Sequence, residues 1–194
     1  MFVVTVDQRS SRTDRDRVPE VLARYASAHT VRPFDRTAGD EVQAVFDSAD
    51  ELAPIAVDLA ASGNWSVGIG VGPVELPLPA TTRAGRGRAF EAAREAVEAA
   101  KLDRRRLRVV GDSAAATHAQ TAAALLVDVV AGRSEAGHDA VALMRTGVTQ
   151  TQAARELGIS PQAMSSRLQA AGWDVQTSGE ALVSYLLAEA GDRS

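Results

Sequence analysis

The sequence predicts an α+β fold followed by an all-helical segment, and three observations carry that prediction. Short β-branched runs alternate with helical periodicity as far as residue 112; two of those runs flank one tight turn; and beyond residue 112 no strand pattern returns. FVVTVD (2–7) is a β-branched run ending in an acid, which marks a buried strand. After the charged loop QRSSRTDRDR, Val18, Val21, Leu22 and Tyr25 recur at helical spacing. Residues 31–34 and 42–46 read as a hairpin around TAGDE, with Val42, Ala44 and Phe46 on a core face. Leu52, Ile55, Ala56 and Leu59 mark a second helix stopped by Ser62-Gly63-Asn64. WSVGIGVGPV (65–74) is the next strand, the proline-rich ELPLPATTRAGRG is a loop, 89–101 a helix and RLRVVG (106–111) a last strand. The order β-α-β-β-α-β-α-β favours an antiparallel sheet with helices on one face, a ferredoxin-like arrangement being the simplest and another α/β sandwich the competitor.

Two domains follow from the change in composition: 1–112, and a helical domain 113–194 with helices at about 113–131, 135–146, 149–157, 160–171 and 178–190. The chain has 45% hydrophobic and 24% charged residues, the balance of a soluble globular protein. It has no cysteine, which excludes disulfides and thiolate metal sites and suits a cytoplasmic setting. No apolar run approaches the roughly 20 residues of a membrane span, and MFVVTVDQRSS reads as a strand rather than a signal peptide. A net charge of −4, with neither half basic overall, argues against a non-specific polyanion binder and confines any nucleic-acid contact to a local patch.

The stretch TGVTQTQAARELGISPQAMSSRLQAAGW (146–173) is the most specific in the chain. Thr149 is suited to an N-cap, Ala153, Ala154 and Leu157 to an inner face, and Gly158 to the left-handed turn that ends a helix. Ser160 caps the next helix, Pro161 is tolerated in its first turn, and Met164 and Leu168 pack inward. Helix, glycine turn and capped second helix are the grammar of a helix-turn-helix (149–171). Thr149, Gln150, Ser160, Gln162, Ser165, Ser166, Arg167 and Gln169 are the candidate DNA-binding residues, glutamine suiting adenine and arginine guanine. Arg145, Arg155 and Arg167 against Glu156 give thin phosphate coverage, so a homodimer reading two half-sites is expected. Its surface is either the helix bearing Ala123, Leu126, Val127 and Val130, whose alternative use is to pack on the first domain, or the one bearing Leu182, Val183, Leu186 and Leu187. A helix-turn-helix that contacts protein is the competing reading.

Asp7 ends the first strand and Asp40 sits on the hairpin turn beside it. Two neighbouring carboxylates need a cation, a proton or an arginine between them. Either they hold a magnesium ion with a phosphate, or Asp40 caps its turn and Asp7 pairs with Arg9, Arg12 or Arg36.

Four motifs in order, D-x-x-x-S-R (Asp7, Ser11, Arg12), GDEVQ (39–43), VGIGVGPV (67–74) and GRAFEAAREA (87–96), resemble the class III nucleotide cyclase palm, and more closely the SatD family of bacterial proteins. That family also ends in a helix-turn-helix, so the resemblance covers nearly the whole chain. It implies a cyclase-type palm in which Asp7 and Asp40 bind metal and Ser11, Arg12, Arg36 and Arg94 bind nucleotide, Arg36 standing where a base-reading lysine does. The asparagine that cyclases use on the last palm helix is replaced by Phe90, and losing one such donor costs about 2.7–4 kcal/mol of transition-state stabilisation. The resulting expectation is a DNA-binding transcriptional regulator with a non-catalytic palm for ligand sensing or oligomerisation. No cofactor is required, magnesium with a nucleotide being the optional one, and no membrane is involved. A metal-dependent nucleotidyl or phosphoryl transferase acting through Asp7 and Asp40, or a protein adaptor, is the alternative.

Overall fold

A computed structural model describes residues 1–192, Ala38 by its backbone alone. It is α+β, with five strands and eight α-helices among the described residues. The strands are β1 (Phe2–Gln8), β2 (Arg32–Ala38), β3 (Glu41–Phe46), β4 (Trp65–Val71) and β5 (Leu107–Val110), in the sheet order β2-β3-β1-β4-β5. The pairs among the first four strands are antiparallel, whereas β5 runs parallel to β4, so the sheet is mixed rather than wholly antiparallel.

The helices are α1 (Val18–Arg24), α2 (Ala49–Ala61), α3 (Arg88–Leu102), α4 (Ala114–Ala131), α5 (Glu135–Arg145), α6 (Gln150–Glu156), α7 (Pro161–Ala170) and α8 (Trp173–Asp192). Both faces of the sheet are covered, not one. Phe2, Val4 and Val6 of β1 and Trp65, Val67, Ile69 and Val71 of β4 point into a large core with Leu52, Ala56, Leu126, Val127, Val183 and Leu187 of α2, α4 and α8. On the other face Val3 and Val45 meet Ala89, Phe90 and Ala93 of α3. The alternate residues of β4 here are Ser66, Gly68 and Gly70, which explains the GIG of the sequence. A Cβ on Gly68 would lie 2.6 Å from the Ala93 carbonyl oxygen and 2.7 Å from the Val97 Cα. Only glycine lets the helix backbone lie this close to the strand.

The division expected at residue 112 does not fall between packed cores. The faces of α4 and α8 join the sheet's core, and a separate small cluster forms only from Ala140, Val141, Ala153, Ala154, Met164, Leu168 and Ala171 of the α5–α7 region, with Trp173 packed against it. α4 is long and apolar enough to cross a membrane by length and composition alone, a test that a core helix also passes. Its Ala116, Ala119, Ala123, Leu126, Val127 and Val130 face is buried within the chain. That face is therefore not free to bind a second copy. α8 begins at Trp173, not near 178: Ser178-Gly179 resembles a helix break in sequence, but Gly179 stays helical where Leu126 of α4 presses against it.

Candidate functional site

The segment from α6 to α7 is built by local rules that the sequence displays. Thr149 and Gln152 form a reciprocal capping box at the start of α6. At its end Gly158 has φ +65°, the Ile159 amide donates to the Ala154 carbonyl (3.0 Å) and the Gly158 amide to that of Arg155 (3.1 Å). This 6→1 and 5→2 pair is a Schellman turn, and Ile159 packs into the small cluster just beyond it. The Ser160 hydroxyl then accepts from the Ala163 amide (3.1 Å), opening α7 with Pro161 in its first turn. Ala153, Ala154, Met164 and Leu168 are buried as expected.

The opposite face of α7 is uncommitted. Gln162, Ser165, Ser166 and Gln169 are exposed, Arg167 is half-buried, and none of their side chains has a hydrogen-bond or ion-pair partner among the described residues. Gln150 is half-buried and likewise unpaired, whereas Thr149 and Ser160 are exposed but use their hydroxyls as caps. Arg145 is not available to a phosphate. Its guanidinium bridges Asp58 of α2 (2.7 Å) and Glu180 of α8 (3.1 Å), and Asp58 also takes Arg24 of α1 (3.0 Å). These bonds and the Arg133 Nε donation to the Ala171 carbonyl (2.7 Å) seat the α5–α7 cluster against the sheet's helices.

At the other candidate site the sheet register sets Asp7 opposite Glu41 in β3 and Ser66 in β4, and the Gln8 amide donates to the Asp40 carbonyl (3.1 Å). The partner of Asp7 is none of the arginines considered from sequence. It is Lys101, from the last turn of α3, whose Nζ lies 3.0 Å from Asp7 and 2.8 Å from Glu98. Burial pushes the Asp7 carboxyl above its ordinary value, outweighing the lowering by Lys101; burial also pulls Lys101 down, but Glu98 and Asp7 together outweigh it and hold Lys101 above its own. The two shifts agree once burial is recognised as the larger effect on the less exposed partner. A metal at Asp7 would have to displace this ammonium. No cluster of three His, Cys, Asp or Glu able to hold a metal occurs among the described residues.

The residues assigned to nucleotide binding do not all meet. Ser11, Arg36 and Asp40 line one depression with Gln8, Asp16 and Gly39. Gln8 shapes it, donating to the Arg15 carbonyl (2.7 Å) and accepting from the Arg17 amide (2.8 Å), and Arg36 pairs with Asp16 (2.6 Å). Arg12 is exposed nearby in sequence. Arg94 lies elsewhere, lining a depression by the start of α3 with Arg83, Arg86 and Phe90. Phe90 is 4% exposed and packs under Gly85, so it serves the fold and presents no polar atom.

Sequence reasoning missed Lys101, the Asp58–Arg145 bridge and the grouping of Arg83 and Arg86 with Arg94. The first two join residues 94 and 87 positions apart, and no local pattern signals such pairs. The third had one signal, the arginine-glycine alternation RAGRG ahead of α3. Comparison with family models, with curated proteins and with solved structures finds no match to this chain.

Proposed function

We propose that the protein is a DNA-binding transcriptional regulator in which α6 and α7 form a helix-turn-helix and α7 reads the major groove. The observation that carries this reading is the uncommitted polar face of α7, Gln162, Ser165, Ser166, Arg167 and Gln169, presented by a helix capped at its start and fixed beneath by Met164 and Leu168. Exposed side chains with unspent donors and acceptors on a rigid helix are what base-edge readout requires. With Arg145 committed, Arg155 and Arg167 are the cations left on this unit, against Glu156. So few phosphate contacts favour a homodimer on two half-sites. Of the two surfaces considered for pairing, α8 retains exposed Leu182 and Tyr185.

The sheet unit is read as a non-catalytic palm with a sensing role. The antiparallel order β2-β3-β1-β4, with α1 and α2 in its connections, supports a ferredoxin-like, cyclase-type palm. Three features weigh against turnover: Lys101 on Asp7, Phe90 without a polar atom, and Arg94 lining a depression to which neither Asp7 nor Asp40 contributes. No cofactor is needed under this reading. Magnesium with a nucleotide could enter only by releasing Asp7 from Lys101.

Selection of bound duplexes from a random pool tests the proposal. A sequence-selective consensus is expected, with Gln162→Ala or Arg167→Ala weakening specific binding by about 1–3 kcal/mol. A variant helix that selects the same duplexes with wild-type affinity would overturn it. Magnesium-dependent turnover of a nucleoside triphosphate, lost in Asp40→Asn, would favour the transferase instead.

A further inference from the structure

Most arginines among the described residues are engaged. Those described are held by a carboxylate or a backbone carbonyl, except Arg12, Arg83, Arg86, Arg94, Arg155 and Arg167. Arg155 and Arg167 belong to the proposed DNA reader. Arg83, Arg86 and Arg94 converge on a single depression of about 460 Å³, roughly the volume of a small-molecule site.

The frame that carries them is fixed. A 3-10 turn at Thr82–Ala84 holds Arg83, and the Thr82 hydroxyl donates to the Pro33 carbonyl (3.2 Å). The Glu75 amide donates to the Arg86 carbonyl (2.9 Å) and the Ala89 amide to that of Pro73 (3.1 Å). Gly85 lies so close over the Phe90 ring that any Cβ there would overlap it. The backbone under Arg83 and Arg86 is thereby locked to α3, which carries Arg94 one turn beyond Phe90. Like charges held together on such a frame repel one another unless an anion lies among them. Glu75 and Glu91 share the depression and form no ion pair with the arginines. They would repel a continuous polyanion, but can accept hydrogen bonds from the body of a compact ligand. A guanidinium fork matches phosphate oxygens two at a time.

We propose that Arg83, Arg86 and Arg94 form a binding site for a small phosphate-bearing molecule, distinct from the Ser11–Arg36–Asp40 depression. The site deepens the sensing role proposed for the palm and rests on that role, not on the DNA reading. Arg83 and Arg86 are its specificity-determining residues, because the rigid loop sets their spacing.

Calorimetric titration of the full chain, without DNA, with inorganic phosphate, pyrophosphate and ATP tests this. Saturable, salt-sensitive binding of pyrophosphate or ATP is expected. It should fall at least 10-fold in the Arg83→Gln/Arg86→Gln double variant and be unchanged in Arg104→Gln, which removes a charge elsewhere. Equal affinity for pyrophosphate and ATP identifies the phosphate groups as the whole ligand; tighter ATP adds the nucleoside. The double variant should keep the wild-type melting temperature and duplex affinity. The proposal fails if no phosphate compound saturates, if the double variant binds as wild type, or if the double variant loses duplex affinity instead. Loss of DNA recognition in the α7 variants leaves these titrations untouched, so the two proposals fail separately.

Discussion

Gly68→Ala is the sharpest test of how the sheet and α3 are assembled. The new methyl would sit 2.6 Å from the Ala93 carbonyl oxygen and 2.7 Å from the Val97 Cα, whereas ordinary contact begins near 3.4 Å. The Val97 amide nitrogen would be closer still, at 2.2 Å; all three opposing atoms are backbone, so no side chain can swing aside, and α3 must retreat by about 1.2 Å at that level. Ala89, Ala92, Ala93, Ala96, Val97 and Ala100 are fully buried on this interface. A gap of that size forfeits about half of each dispersion contact it opens. Overpacking and lost contact together put the destabilisation at about 3–5 kcal/mol, against a typical total of roughly 5–15 kcal/mol. Urea unfolding followed by Trp65 fluorescence, in a Trp173→Phe background, reports on β4 itself. With a slope near 2 kcal/mol/M the midpoint should fall by roughly 2 M. A loss under about 1 kcal/mol would refute the packing argument.

Three other outcomes follow from the ion pairs. Because burial raises the Asp7 carboxyl above 3.8, the folded state holds that proton more tightly than the unfolded chain does. Asp7 therefore penalises folding above its folded value, and the penalty fades as pH drops from there towards 3.8; Asp7→Asn should be at least as stable as wild type at pH 7 and should lack this pH-dependent part in urea titrations. Lys101→Met removes the opposing cation, so carbon-13 NMR should show Asp7 titrating at still higher pH, and an unmoved titration would mean the pair does not persist in solution. Arg145→Met breaks contacts with Asp58 and Glu180 and should cost about 1–2 kcal/mol by thermal unfolding; under the proposed DNA reading duplex affinity should fall too, although none of the side chains proposed to meet DNA has changed.

What could be read in the sequence was what short segments encode by themselves. The caps at Thr149 and Ser160, the turn at Gly158 and the inward Met164 and Leu168 all lie where residue chemistry within a few positions put them. Strand β4 was legible as an apolar run, because that signal is local; the close approach that its glycines permit shows only with α3 in place. The parallel pairing of β5 was not legible, since a four-residue strand carries no mark of its partner's direction. Nor was the second covered face: Gln43 reads as an outward residue, yet it is buried and donates to the Thr5 hydroxyl (2.9 Å). The candidate acids showed the same limit. Asp7 and Asp40 were visible as a pair, but the cation beside Asp7 comes from the far end of α3.

The carboxylate of Asp58 accepts guanidinium groups from α1 and from α5, one on each side of the boundary between the sheet's large core and the α5–α7 cluster. Dissolved ions weaken the exposed Arg24 contact sooner than the partly buried Arg145 one, and both slacken only at high salt, the screening length being about 3 Å at 1 M. If α6 and α7 read DNA as proposed, ionic strength acts on two levers: it competes for the duplex, and it loosens the seat of the reading helices. A plot of log affinity against log salt would then curve downward, where a rigidly mounted reader gives a straight line.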